Sequence, residues 1–354
     1  MDDERQAFLE ELLSTATPSG FETAGQRRWL DYVEPFADET HVDAYGNAVA
    51  VSEGDADTAS IAIAGHVDEI GLMVRDISEE GFLKLSSIGG SDKTVTRGQH
   101  VQVHTADGAL DGVIGQAAIH LRDTSADEYA EINEQHVDIG VEDGDAAREL
   151  VDIGDPVTFD TDIAELAGDR LAARGMDNRV GIWTAAEAFR RVAETDHESM
   201  VYAVSTVQEE IGLKGAKMVG FDLEPDVVVA TDVTHATDHP ESPGDRSTGI
   251  ELGAGPVVAR GSANHPKLVE AVRTVAADEE IDVQLQASGS FSGTDADAFY
   301  TTRGGIPSLN VGLPNRYMHT PVELVDLADL EAAAELFAAL ATRIGDFEPF
   351  SADI

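Results

Sequence analysis

Apolar residues recur along the chain with two different periods. Phe8, Leu9, Leu12 and Leu13 fall on one helical stripe that stops at Pro18 and Gly20, and a second stripe runs through Trp29, Val33 and Phe36. HVDAYGNAVAV predicts a hairpin around Gly46-Asn47. SIAIAGHVDEIGLMV is apolar on both faces and predicts a strand in the middle of a sheet covered by helices. Between residues 72 and 166 the texture changes to short alternating runs, among them FLKLSSI, HVQVHT and GVIGQAAI, separated by Gly and Asp-Gly turns. That stretch predicts an inserted all-β domain. Helical spacing then returns in MDNRVGIWTAAEAFRRVAE, HPKLVEAVRTVAADE and DLADLEAAAELFAALATRI, with SMVYAVSTV and PDVVVATDV as strands among them. The expected fold class is therefore α/β. A mostly parallel sheet with helices on both faces spans residues 1–71 and 167–354, interrupted by the 72–166 insertion, with functional groups expected at the C-terminal ends of strands.

At 354 residues the chain has room for two domains and a sizeable core. Charge changes the picture more. Lys and Arg number 23 against 68 Asp and Glu, a formal net charge of -45 with only five lysines, which argues against nucleic-acid phosphates and anionic lipid as partners. The acids are scattered among periodic apolar segments and 42% of residues are hydrophobic, so the chain is expected to fold. Such a surface repels itself at low ionic strength, which points to a protein adapted to high salt. With no cysteine there are no disulfides, no thiol nucleophile and no thiolate ligands, so a metal would have to sit on His, Asp and Glu. The acidic N-terminus MDDERQAFLEELL is unlike a signal peptide, and no apolar run reaches transmembrane length. A cytoplasmic location is the simplest expectation.

The candidate chemistry lies at the edges of apolar segments, where a charge is costly to bury unless it is paired or metal-bound. His66 and Asp68, Asp177, Glu209 and Glu210, Asp232, and His319 all have this placement. Taken singly each has an ordinary reading: His66 as a core histidine, Asp177 as a helix N-cap, Glu209-Glu210 as a solvated pair. Together, two histidines and several carboxylates suit zinc, cobalt or manganese, and the converging strand ends of an α/β sheet can bring distant residues into one pocket. A two-metal site needs a bridging carboxylate.

The ordered set GHVDEIG, GMDNRVG, VQEEIG, TDVTHATD and MHTPVE, with PSGFE near the start and GTDADAF late on, resembles the tetrahedral (TET) dinuclear metallo-aminopeptidases across nearly the whole chain. The resemblance implies a zinc-exopeptidase-like fold with a PDZ-like dimerisation insert, and two divalent cations per subunit, zinc or cobalt, with manganese as a further candidate. In it, His66, Asp177 and Glu210 hold one metal and Asp177, Asp232 and His319 the other, Asp177 bridging. Asp68 orients the His66 imidazole and Glu209 is the general base. Gly293 and Thr294, with Gly289, lie by the substrate pocket. Peptides are the implied substrates, N-terminal residues the implied products, and a dodecamer built from dimers the implied assembly.

Other readings are a related metallo-amidohydrolase or carboxypeptidase, a non-catalytic scaffold, or a two-carboxylate glycosidase, which would leave His66 and His319 without a role. The glycine-rich SGSFSGTDADAFY lacks the strand-to-helix GxxxxGK[ST] context of a phosphate loop, and no G-x-S-x-G is present.

Overall fold

The computed structural model describes residues 1–55, 57–122, 129–244 and 248–352, so part of the predicted insertion, 123–128, lies outside the described residues. An eight-stranded sheet organises the chain. Its order is Glu39–Val42, Ala48–Ser52, Val201–Thr206, Ile61–His66, Val227–His235, Ser308–Asn315, Val257–Gly261 and Gln284–Ser288. The four strands from Val201–Thr206 to Ser308–Asn315 run parallel; on one side the hairpin strands pair antiparallel with their neighbours, and on the other Val257–Gly261 pairs antiparallel with Ser308–Asn315 and parallel with Gln284–Ser288.

Alternation along Ile61–His66 explains why both faces are covered. Ile61 and Ile63 join the large core made with Met176–Ala193, Leu327–Arg343, Pro266–Asp278 and the two N-terminal helices. Ala62 and Ala64 point the other way, into a smaller core with Ala216 and Val219 of Lys214–Leu223 and Ala298 and Phe299 of Asp295–Phe299. At Gly65 the strand touches the helix so closely that an added Cβ would lie 2.9 Å from the Gly181 carbonyl carbon and the Ile182 nitrogen. A side chain there would push Met176–Ala193, which carries Asp177, off the sheet.

SIAIAGHVDEIGLMV is two strands and not one. Ile61–His66 ends in the central sheet, and Gly71–Ile77 begins a closed barrel ordered Gly71–Ile77, Leu83–Ile88, His136–Asp138, Gly108–Ile114, His100–Thr105 and Pro156–Phe159. The barrel has its own core, including Leu72, Leu85, Val103 and Val157. Between the two strands Glu69 is fully buried, accepts a hydrogen bond from the Thr17 backbone at 2.9 Å, and pairs with Arg174 and, at 2.9 Å, with Arg179. Burial alone would raise the Glu69 carboxyl, but the two guanidinium groups outweigh it and hold it down at about 2. Ala164–Leu166 leaves the barrel to pair with Arg170–Ala173, which pairs in turn with Glu323–Asp326.

Glu69→Ala strands the buried Arg179 charge and is expected to cost about 3–5 kcal/mol, read as a lowered urea midpoint in concentrated KCl. Because the folded carboxyl titrates near 2 and its ordinary value is 4.5, this stabilisation is complete above 4.5 and fades as the pH falls towards 2.

Candidate metal centre

The C-terminal ends of the parallel strands converge on one cleft. His66 closes Ile61–His66, Asp232 lies within Val227–His235, and Asp177 sits at the start of Met176–Ala193 with non-helical φ/ψ of -74° and 104°. Glu209 and Glu210 follow Val201–Thr206, and His319 follows Ser308–Asn315 with a left-handed φ of 63°. Asp177 lies at the centre. Its Oδ1 is 3.2 Å from His66 Nε2 and its Oδ2 is 3.2 Å from His319 Nε2. Asp232 Oδ1 and Glu209 Oε2 approach His66 Nε2 at 3.6 and 3.8 Å, whereas Glu210 Oε1 lies 3.7 Å from His319 Nε2. Two overlapping groups, His66–Glu209–Asp232 and His66–Asp177–Glu210, each bring ligand atoms within 4.8 Å of one another.

The glutamates are not on the strand end itself. Gln208 adopts a left-handed φ of 57°, and Glu209 then begins a turn whose carbonyl accepts from Gly212 and Leu213. Their different directions come from this turn. Asp68 holds that turn: its Oδ1 accepts from the Glu209 N–H at 2.9 Å and its Oδ2 from the Glu210 N–H at 3.2 Å and the Ser19 hydroxyl at 2.6 Å. The His66 Nδ1 is met at 3.0 Å by the main-chain carbonyl of Asp68, with the carboxylate farther off at 3.4 Å. Glu22, buried in PSGFE, accepts from Gly20 and Gln208, and burial pushes its carboxyl up to about 7.

Electrostatics make the cleft a site for cations. Burial pushes the Glu209 carboxyl up to about 9; His66 opposes this, while Asp232, Asp295 and Asp177 add to it. Burial and Asp177 likewise raise Glu210, and burial raises Asp232. Desolvation opposes a charge on His66, yet Asp232 and Glu209 more than reverse it. Among the described residues lining the cleft there is no Lys or Arg, and Glu210 Oε1 is buried without a hydrogen-bond partner. Oxygen and imidazole donors with surplus negative charge and an orphaned carboxylate oxygen fit divalent cations.

Several contributors were not singled out from sequence. Glu323, the last residue of MHTPVE, accepts from the Asp177 N–H at 2.8 Å and from Asn315 at 3.0 Å, and burial pushes it up to about 8. Asn178 donates to the Thr231 carbonyl at 2.8 Å, tying the Asp177 segment to the Asp232 strand. The barrel side also supports the site: His319 Nδ1 lies 3.2 Å from the Gly90 carbonyl, and a Cβ at Gly90 would come within 2.8 Å of that ring. Gly293 and Thr294 line the same cleft. His235 also lines it, with burial holding its imidazole below the ordinary value, and His265 lies elsewhere, near Tyr300. Glu323 was legible only as the last residue of a recognised motif, and Gly90 lies outside every motif.

An α/β sheet whose strand ends gather two imidazoles and a group of buried carboxylates around one cleft defines a metallohydrolase-type architecture. Residues 46–336 match the family described as M42 glutamyl aminopeptidase. The chain is 34% identical over 349 residues to a lysyl aminopeptidase of Pyrococcus furiosus, covering 97% of this chain and 99% of that one. It superposes on a TET aminopeptidase from the archaeon Thaumarchaeota archaeon SCGC AB-539-E09 with a TM-score of 0.91 at 32% identity, over 97% and 98% of the two chains. With the Pyrococcus horikoshii TET1 peptidase, described as assembling into a tetrahedron or a large octahedral shell, the TM-score is 0.85 at 31% identity, over 95% and 99%. The chain belongs to the peptidase M42 family. It is a metal-dependent aminopeptidase, a hydrolase of peptide bonds.

Proposed function

We propose that the cleft holds two divalent cations on either side of Asp177 and removes N-terminal residues from peptides, with Glu209 as general base. One observation carries this reading: the two Asp177 oxygens face different histidines at the same 3.2 Å. The distances favour a division other than the one the motifs imply. His66, Asp177 Oδ1 and Asp232 form one set, and His319, Asp177 Oδ2 and Glu210 the other. Zinc, cobalt or manganese suits these donors. When bound, such cations polarise a carbonyl and acidify water. Glu209 takes the proton from the attacking water and returns it to the leaving amine. Asp68 fixes the turn that aims both glutamates, and Gly293 and Thr294 border the substrate.

Residues 1–71 and 167–354 form the catalytic domain in this reading, and 72–166 a PDZ-like dimerisation domain. The separate barrel core supports that division. Dimers would assemble into a dodecamer, a reading supported by the tetrahedral assembly of the TET1 peptidase. A net charge of -45 supports a halophilic protein whose subunit contacts weaken as salt is removed. The test is size-exclusion chromatography in multimolar and dilute KCl, each fraction assayed on aminoacyl-anilides and N-acyl amino acids with and without EDTA. Anilide hydrolysis in a large particle at high salt, abolished by EDTA and lost with dissociation at low salt, is expected. Hydrolysis of N-acyl amino acids alone would favour a deacylase, and EDTA-resistant activity would refute the metal centre.

A further inference from the structure

His319 is held differently from the other candidate ligands. His66 and Asp232 lie within strands whose ladders fix them, and their side chains are only 2% and 8% exposed. His319 stands on a turn outside the sheet, with a side chain 34% exposed. Tyr317 and His319 both have a left-handed φ, 64° and 63°, and the turn is closed by the Thr320 N–H and hydroxyl, which donate to the Tyr317 carbonyl at 3.2 and 2.7 Å. Residues with side chains stay in that region only where their surroundings hold them there.

Arg316, the residue before the turn, is tied on two sides. Its backbone exchanges two hydrogen bonds of 3.0 Å with Leu324. Its guanidinium forks onto Asp238, Nε donating to Oδ1 and Nη2 to Oδ2, each at 2.7 Å, and Nη2 also donates to the Asp238 carbonyl at 3.3 Å. The two side chains are 14% and 18% exposed, so salt screens this bidentate pair less than a surface one. Asp238 also accepts from the Leu252 N–H at 3.1 Å, and the adjacent His239 ring meets Tyr317 edge-on at 5.2 Å. Asp238 lies on the continuation of the strand that carries Asp232, and Arg316 on the continuation of the strand that leads to His319. Those strands pair from Val228–Ser308 to His235–Asn315, and the Ala236 N–H still reaches the Asn315 carbonyl at 2.9 Å. Past the end of the ladder, the Asp238–Arg316 fork carries the connection onward.

We propose that Asp238 and Arg316 are positioning residues for one cation only: their fork sets where His319 stands relative to Asp177 Oδ2, and so sets the affinity of the His319 side of the centre. This rests on the two-cation reading above. With the fork opened, the 317–320 turn loses one of the contacts that hold its left-handed residues, and the loss falls on the position shared by His319, Asp177 and Glu210. His66 and Asp232 keep a geometry fixed by strand pairing, so the position they share with Asp177 is spared. A lysine at 316 cannot substitute, because a single ammonium does not reproduce two parallel hydrogen bonds.

Equilibrium binding of cobalt(II) to the intact metal-stripped chain in concentrated KCl, with a competing chelator, tests this. Wild type is expected to bind two cobalt ions per chain. Arg316→Gln is expected to bind one of them as wild type does and the other about 10–100-fold more weakly. Asp238→Asn keeps an acceptor for Leu252 and should show the same split if the first variant folds poorly, and the double variant should be no weaker than either single one. Anilide hydrolysis by the variants should recover as cobalt is raised, a rescue that a merely destabilised fold would not show. Two ions bound with wild-type affinity in both variants, or both ions weakened equally, would overturn the positioning role while leaving the two-cation reading intact. A wild-type chain that binds fewer than two would instead overturn that reading, and the role of the fork with it.

Discussion

Glu209→Gln is expected to lower kcat by about 10²–10⁴-fold while leaving bound metal at the wild-type level. The substitution keeps the shape of the side chain and the hydrogen bond that the Glu209 N–H gives to Asp68, so the turn that also aims Glu210 should stand. What is lost is a carboxylate able to take a proton. In the proposed division Glu209 belongs to neither ligand set, although its Oε2 comes within 3.8 Å of His66 Nε2. Metal analysis by mass spectrometry beside anilide kinetics separates the two effects. Loss of metal together with activity would make Glu209 a ligand, and near-normal turnover would remove it as the base.

Asp177→Ala is expected to empty both cation positions, since the proposed division uses one oxygen of this residue on each side. Activity should fall below the level left by Glu209→Gln, with metal content near zero instead of two per chain. Removing the carboxylate also takes away the partner that outweighs desolvation at His319 and contributes to the raised imidazole of His66. Retention of one metal would show that Asp177 is an end-on ligand and not a bridge. Full retention would overturn the site.

Individual residues show how far the chain could be read directly. The helices Met176–Ala193, Pro266–Asp278 and Leu327–Arg343 and the strands Val201–Thr206 and Val227–His235 were legible because apolar spacing alone sets which face of each is buried. Ser308–Asn315 was not legible, although it lies near the centre of the sheet. SLNVGLPN contains Gly312 and Pro314, which strand interiors disfavour; its burial on every residue comes from neighbours far away in sequence. SIAIAGHVDEIGLMV was misread for another reason: apolar residues flank GHVDE on both sides, and the pairing of its two halves with different sheets is what separates them.

Residue types and their order thus determined the α/β class, the absence of thiol chemistry and the identity of the metal-binding candidates, since these depend on local periodicity and on which side chains can ligate. Tertiary structure alone decided which carboxylate faces which histidine. It also decided that Asp68 holds a turn and that Gly90 backs His319 from the barrel. Each of those facts rests on a distance between residues far apart in the chain, fixed by strand register and close packing, and sequence spacing does not encode such distances.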